Sequence, residues 1–171
     1  MPEHRHPTAG LEEIAEEYDG GRTPLAEYAG FVGVYAAALG GLLAAAGATR
    51  RPLPRLGWGD VALLGTATHK LSRLVSKQKI TAPLRAPFTE LEGRGGPSEV
   101  EEHPRGEGLR RATGELLLCP YCLDQWIAGG FVAGSVFAPR ATRLVASLFA
   151  SVAVADFLQV AYRAAQERTD R

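Results

Sequence analysis

The uncharged stretch between Glu27 and Arg50 constrains this chain more than any other feature. From Tyr28 to Thr49 no side chain is charged, and a helix of this length can cross a hydrocarbon core about 30 Å thick. Three later apolar stretches repeat the pattern more weakly, each interrupted by one acid. The sequence therefore predicts an integral membrane protein.

Composition narrows the classes of partner. The chain has 19 Lys and Arg residues against 19 Asp and Glu residues, so no overall positive field attracts nucleic acid, and none is expected as a partner. Residues 1–19 carry acids and no apolar run after a basic start, which argues against a cleaved secretory signal. Because the mean hydropathy is near zero, a soluble or peripheral domain with buried Ala-rich helices stays open as an alternative.

Proline and glycine residues mark the ends of the predicted helices. The predicted fold is all-α, a four-helix integral membrane bundle. The four helices are predicted over residues 24–48, 57–75, 120–137 and 141–166. Residues 78–115, rich in Pro and Gly, are predicted to form a long irregular loop between the second and third helices. A polar segment over residues 1–23 precedes the membrane domain of residues 24–166, and a polar tail over residues 167–171 follows it.

Basic residues near the helix ends predict the orientation. Lys and Arg are more numerous on the side of the termini and the loop 78–115 than on the opposite side, which holds Arg50, Arg51, Arg55, Arg140 and Arg143. The positive-inside rule then predicts a multi-pass protein of a bacterial plasma membrane with both termini and the loop in the cytoplasm.

Four strings carry a resemblance to a known family: HKLSRLVSKQKITAPLRAPFTE (69–90), GELLLCPYCLDQWIAG (114–129), PRATR (139–143) and ADFLQ (155–159). Together they resemble the bacterial family called domain of unknown function 1360. The resemblance implies a match from about Trp58 to Tyr162. Members of that family are small predicted membrane proteins, and some are labelled as sporulation proteins. It implies no activity, and no catalytic residue is assigned from it.

The motif Cys119-Pro120-Tyr121-Cys122 is the sharpest chemical feature. Pro120 suits the first helical position, which leaves Cys119 at a helix N-terminus, where a thiolate is stabilised. The same four residues resemble the active-site motif of glutaredoxins, although the flanks show no βαβ pattern. Two cysteines could also contribute to a zinc or iron site, for which the candidate ligands are Cys119, Cys122, His69 and His103. Packing of both cysteines as small buried side chains is the third interpretation.

Three acids, Asp60, Asp124 and Asp156, interrupt the apolar helices. An acid in lipid costs about 2.5 to 3.5 kcal/mol, so each is expected to face protein or water and to have a partner. Partners of the right kind are His69, Arg73, Arg140 and Arg143. Convergence of these groups would make a proton or ion path, whereas separate pairs would only join helices.

Basic residues follow the second helix and predict contact with lipid headgroups or a protein partner. They are His69, Lys70, Arg73, Lys77, Lys79 and Arg85. Small residues repeat every four positions at Gly33, Ala37 and Gly41, a spacing that favours oligomers or assembly with other membrane proteins. The sequence as a whole predicts a structural or interaction component of the membrane and not an enzyme, with a thiol redox or metal-binding protein as the alternative.

Overall fold

The computed structural model of the protein describes residues 9–21 and 23–169, and most of them are helical. The helices found there are α1 (Ala9–Asp19), α2 (Leu25–Ala48), α3 (Trp58–Lys77), α4 (Ala82–Arg85), α5 (Gly108–Leu118), α6 (Pro120–Phe137) and α7 (Pro139–Thr169). Two strands, β1 (Thr89–Arg94) and β2 (Val100–Pro104), form an antiparallel hairpin. Parts of the predicted polar segments, residues 1–8, 22, 170 and 171, lie outside the described residues.

The four long helices expected from the sequence correspond to α2, α3, α6 and α7. Helix α2 begins directly after Pro24 and α6 begins at Pro120, because the fixed φ of proline suits the first turn of a helix and its missing N–H has no partner to lose there. Arg50, with a left-handed φ of 51°, follows the C-cap of α2 and ends that helix.

Helices α3, α6 and α7 pack against one another and form the core. Ala67 of α3, Phe131 of α6 and Ala146 of α7 are buried together. Partly buried apolar side chains surround them, namely Leu63, Leu64, Leu71, Ile127 and Phe149. The two alanines are fully buried because their small side chains let the helix backbones approach closely.

Helix α2 lies at the side of this core and is attached through few contacts. The Tyr28 hydroxyl donates to the carboxylate of Glu115 on α5. Tyr35 donates to the carbonyl oxygen of Gln125 at 3.2 Å, and its ring meets that of Trp126 edge to face, with centroids 5.3 Å apart. Most of the α2 surface therefore faces away from the rest of the molecule.

The long helices alternate in direction, so their ends collect in two groups. At one end Arg51 donates to the carbonyl oxygen of Phe137 at 2.9 Å, and Arg143 pairs with Asp60 at 3.0 Å. We call this the turn end, which holds residues 49–57 and 137–143. The opposite end, here called the hairpin end, holds residues 78–119.

The prediction of a long irregular loop over residues 78–115 is wrong, and the fold is not all-α. A 3₁₀ turn over Lys79–Thr81, the short helix α4, the hairpin and helix α5 occupy this segment. The hairpin pairs Thr89 with Pro104 and Arg94 with Val100, with a bulge between Leu91 and Gly93. Because Glu, Gly and Pro, which strands disfavour, make up much of both strands, their residues do not predict a hairpin.

Arg85 fastens this segment to the end of α3. Its side chain is wholly buried, and its Nε donates to Glu102 of β2 at 2.5 Å. The guanidinium also donates to the carbonyl oxygens of Val75 and Gln78 and to the hydroxyl of Thr81. One side chain therefore satisfies carbonyls at the C-terminus of α3 and joins them to the hairpin.

The outside of the helices is strongly apolar. Two described helices, α2 and α7, are long and apolar enough to cross a membrane, yet only 6% and 11% of their apolar windows are buried. Helices α5 and α6 meet that test only as a pair, bent by 83°. The chain exposes 12159 Å², whereas a compact soluble protein of 18.2 kDa exposes about 8,100 Å².

Replacement of Arg85 by alanine is expected to lower the free energy of unfolding by about 3–5 kcal/mol, because Glu102 then stays buried without its charge partner. Denaturant unfolding of the detergent-solubilised protein measures the change. Arg94→Ala, at an exposed position of the same hairpin, is the matched control and should change stability by less than about 0.5 kcal/mol. Equal losses in the two variants would contradict the role given to Arg85.

Candidate functional site

A polar cleft opens between α3, α7 and the turn of the hairpin. Its volume is about 650 Å³, a size that suits a small ligand or a lipid headgroup. Its charged lining consists of Lys70, Arg73, Glu99, Asp156 and Arg163, with His69, Phe157 and Val160 beside them. The C-terminal part of α3, the second half of α7 and the hairpin turn thus contribute to one site.

An ion pair between α3 and α7 lies at the inner end of this cleft. The ammonium of Lys70 donates to Asp156 Oδ2 at 2.6 Å, and the lysine side chain is 7% exposed whereas the aspartate is 50% exposed. Measured along α3, Lys70 lies about 15 Å from Asp60 at the turn end. The partner of Asp156 is thus Lys70, which is not among the four candidate partners named from the sequence.

The rim of the cleft carries the remaining charges. Arg73 of α3 pairs with Glu99 of the hairpin turn at 2.5 Å, and the His69 ring stacks on Phe157 at 6.1 Å between centroids. Arg163 lies about two turns further along α7 from Asp156. Lys70, Arg73 and Arg163 outnumber the two carboxylates of the lining, Glu99 and Asp156, so the cleft favours an anion.

Asp60 has a structural role at the turn end. Its Oδ2 accepts a hydrogen bond from the Gly57 N–H at 3.1 Å, and its Oδ1 accepts one from Arg143 at 3.0 Å. The carboxylate therefore caps the N-terminus of α3, where the helix dipole favours negative charge, and holds α7 beside it.

Asp124 of α6 forms no ion pair in the part of the chain that the structure describes, and it does not cap a helix. Its Oδ1 is buried and has no hydrogen-bond partner among the described residues. The three acids that interrupt the apolar helices thus lie in three separate environments. The structure does not bring Asp60, Asp124 and Asp156 together into one path.

The basic residues predicted to meet headgroups are divided by the structure. Arg85 is wholly buried in its contacts with α3 and Glu102, so its charge is not accessible to lipid and that part of the prediction is wrong. Lys70 lies inside the cleft, whereas Lys79 is exposed and Lys77 is half-buried. His69 and Arg73 line the cleft, so they stay candidates for contact with a headgroup.

The two cysteines lie at the corner between α5 and α6. Cys119 is the N-cap of α6, and its sulfur accepts a hydrogen bond from the Cys122 N–H at 3.2 Å. The two residues form a disulfide. Cys122 is exposed, and the neighbouring Tyr121 is 82% exposed. This exposure disagrees with the interpretation that both cysteines are packed as small buried side chains.

The candidate metal ligands lie apart. His103 of β2 contacts Glu90 at 3.4 Å on the exposed face of the hairpin, and His69 lies on α3 against Phe157. Across residues 9–21 and 23–169, no three His, Cys, Asp or Glu side chains are grouped as a metal site requires. Zinc or iron binding by the cysteine pair therefore stays a prediction without a ligand set.

Sequence reasoning missed Glu99 and Arg163 as parts of the cleft. Arg163 follows Asp156 by seven residues, which places both on one face of α7, and that spacing could have identified it. Glu99 lies in a hairpin that its own residues do not predict, and its contact with Arg73 depends on how the hairpin docks on α3.

Comparison with known proteins places the chain among relatives. The model of the family described as protein of unknown function (DUF1360) matches residues 63–162. The sporulation protein YjcA of Bacillus subtilis (strain 168) is 31% identical over 102 residues, which cover 58% of this chain and 86% of that protein. No solved structure matches the chain.

Removal of one member of the Lys70–Asp156 pair should affect stability unequally. Asp156→Asn leaves a buried ammonium unpaired and should cost more than Lys70→Met, which leaves a carboxylate that water can reach. Denaturant unfolding of both variants and the double variant should give a coupling energy of about 0.5–3 kcal/mol.

The exposed pair of Glu90 and Arg105, with side chains 50% and 38% exposed, is the control. Its coupling energy should lie between about 0 and 1 kcal/mol. If the coupling energy of Lys70 and Asp156 is no larger than that of this surface pair, the claim that Lys70 is desolvated in the cleft is refuted.

Proposed function

The chain belongs to the DUF1360 family of proteins of unknown function, and from this premise we propose that it is a multi-pass protein of the bacterial plasma membrane that acts as a structural or interaction component. The matched relative is named for sporulation, a process and not a reaction. A component that binds lipid and other membrane proteins is consistent with that name.

The exposed apolar surface of α2 and α7 is the observation that carries this proposal. These helices expose side chains such as Val32, Leu43, Leu144, Val154 and Leu158. Patches of this extent are rare on soluble monomers, because each exposed Å² of apolar surface costs free energy in water. A bilayer removes that cost, with α2, α3, α6 and α7 as the four crossing helices.

Charge at the two ends supports cytoplasmic termini. The hairpin end and the adjoining second half of α7 carry Lys77, Lys79, Arg110, Arg111 and Arg163, whereas the turn end carries Arg50, Arg51, Arg55, Arg140 and Arg143. These two sets are equal at five each, and Arg73, Arg94 and Arg105 bring the hairpin end to eight against five. By the positive-inside rule the hairpin, α5 and both termini face the cytoplasm.

In this orientation the cleft reaches into the bilayer. Lys70 lies about 15 Å from the turn end along α3, which is half of a 30 Å hydrocarbon core. Pairing with Asp156 and the open cleft lower the cost of charge at that depth, because the half-exposed carboxylate keeps contact with water from the cytoplasmic side.

An anionic phospholipid is the occupant that suits this cleft best. Its phosphate would meet Arg73 and Arg163, each worth about 1 kcal/mol. Its acyl chains would lie along the apolar flank of α7, where Phe157 and Val160 are each 64% exposed. The sequence predicts headgroup contact at residues that follow the second helix, whereas the proposed site lies between α3 and α7.

Assembly with a second copy or another membrane protein is the further part of this proposal. The small residues Gly33, Ala37 and Gly41 lie on the exposed helix α2, and no side chain approaches within 4 Å of a Cβ built at either glycine. A neighbouring helix can therefore approach this side closely.

Labelling of single cysteines tests the topology. In a Cys119→Ser, Cys122→Ser background, Leu53→Cys lies at the turn end and Glu92→Cys lies in the hairpin. A membrane-impermeant maleimide should label Leu53→Cys in intact bacteria, and Glu92→Cys only after permeabilisation. Labelling of both in intact cells, or release of the protein by carbonate without detergent, would refute the proposed insertion; the reverse labelling pattern would refute its orientation.

Lipid retention tests the cleft. Protein reconstituted in equal phosphatidylglycerol and phosphatidylcholine, then delipidated stepwise and weighed by native mass spectrometry, should retain phosphatidylglycerol preferentially. Arg73→Gln and Arg163→Gln should each lower that preference about fivefold, since each charge contributes about 1 kcal/mol. Arg168→Gln, on the same helix and outside the cleft lining, should leave it unchanged. An equal loss of preference in all three variants would mean that overall surface charge, and not the cleft, determines lipid binding, and it would refute the proposed site.

A further inference from the structure

The cysteine pair, in which Cys122 is exposed and Cys119 is half-buried, points to a chemical activity that the membrane proposal does not use. We propose that Cys119 and Cys122 form a dithiol–disulfide exchange site that reduces a disulfide in a protein or peptide partner. The inference rests on the geometry of the corner between α5 and α6, and it holds or fails separately from the proposed lipid site.

Exposure separates this pair from a structural crosslink. A crosslink that stabilises a fold joins distant segments, and its benefit grows with the loop it closes. Cys119 and Cys122 are three residues apart and already held in one helical turn, so their bond constrains almost nothing. Because Cys122 is exposed and Cys119 is only half-buried, a partner's sulfur can reach the pair, including the attacking Cys119.

The start of α6 favours the thiolate of Cys119. As the N-cap residue, Cys119 lies where unpaired amides and the positive end of an 18-residue helix meet. The Cys122 N–H already donates to its sulfur at 3.2 Å, and Pro120 occupies the first helical position, where its missing N–H costs no helical hydrogen bond. These groups stabilise negative charge on sulfur, which makes Cys119 the attacking residue.

The bend between the helices presents the pair to partners. Helix α5 meets α6 at 83°, so the backbone turns sharply at Cys119 and leaves Tyr121 projecting outward. An exposed tyrosine next to a reactive sulfur offers a flat apolar surface for a peptide chain. At the hairpin end the pair also lies in the compartment where small thiols keep such dithiols reduced, in the orientation proposed above.

The exchange balances in two steps. The Cys119 thiolate attacks one sulfur of the partner's disulfide, forms a mixed disulfide and releases the other sulfur as a thiolate that takes up a proton. The Cys122 thiol then loses its proton and attacks Cys119 in the mixed disulfide. This second attack forms the Cys119–Cys122 bond and releases the second partner thiol. Two electrons pass to the partner, and a low-molecular-weight thiol such as glutathione restores the dithiol.

Turnover of a fluorescent glutathione disulfide by the full chain in detergent, with excess reduced glutathione, tests the activity. The chain has two cysteines, so each variant is unambiguous. With the glutathione disulfide alone and no reduced glutathione, Cys122→Ser should stop at a stoichiometric mixed disulfide that mass spectrometry detects. With reduced glutathione present, Cys119→Ser should lose turnover at least tenfold. Glu92→Cys in a cysteine-free background supplies a reference thiol of ordinary reactivity.

Several results would overturn the inference. They are a native bond that millimolar dithiothreitol does not reduce, stoichiometric zinc or iron in the purified protein, or a Cys119 thiol that alkylates at neutral pH no faster than Glu92→Cys. Thermal unfolding of each serine variant separates loss of folding from loss of chemistry. Wild-type protein that binds phosphatidylglycerol but fails to turn over would reject this inference and leave the membrane proposal intact.

Discussion

The buried ion pair of Arg85 and Glu102 holds the polar half of this protein in place. Arg85 also satisfies the last carbonyls of α3, so the helix end and the hairpin are fixed by one guanidinium. Docking of the hairpin brings Glu99 to Arg73 and closes the cleft on one side. It also carries β2 onto α5, and α5 leads directly into the corner at Cys119. Both candidate sites therefore depend on a contact that belongs to neither.

The long helices place charged side chains between helices or at helix ends and large apolar side chains on the outside, the reverse of a soluble protein. Charged side chains pair between α3 and α7 or cap a helix, while α2 and α7 turn large apolar side chains outward. In water this arrangement would expose the surface that the hydrophobic effect buries; in lipid it places each group in a suitable solvent. The membrane proposal rests on this inversion rather than on hydropathy alone, since α3 is 20 residues long but is not among the described helices apolar enough to cross a membrane.

The helices were predictable because local signals define them. Pro24, Arg50 and Pro120 lie at helix ends, and apolar runs between such ends determine the helix lengths. The hairpin was not predictable, because its strands are rich in Glu. Its position is fixed by Arg85, which contacts Glu102, a residue 17 positions away in the sequence. The same limit applies to the cleft: Lys70 was expected at a headgroup surface, and only the crossing of α3 and α7 brings it to Asp156. The cysteine motif was visible in the sequence, whereas its exposure was not.

Loose attachment of α2 has a consequence for the family. The matched region, residues 63–162, begins within α3 and excludes α1 and α2, and the tyrosine contacts that hold α2 leave the three-helix core complete without it. A relative built from that core alone would cross the bilayer an odd number of times. Its first residue would then start on the far side, while the hairpin and the cysteine corner kept their orientation. In the proposed insertion, α2 would therefore determine on which side of the membrane the residues before α3 lie and would leave the side of the hairpin and the cysteine corner unchanged.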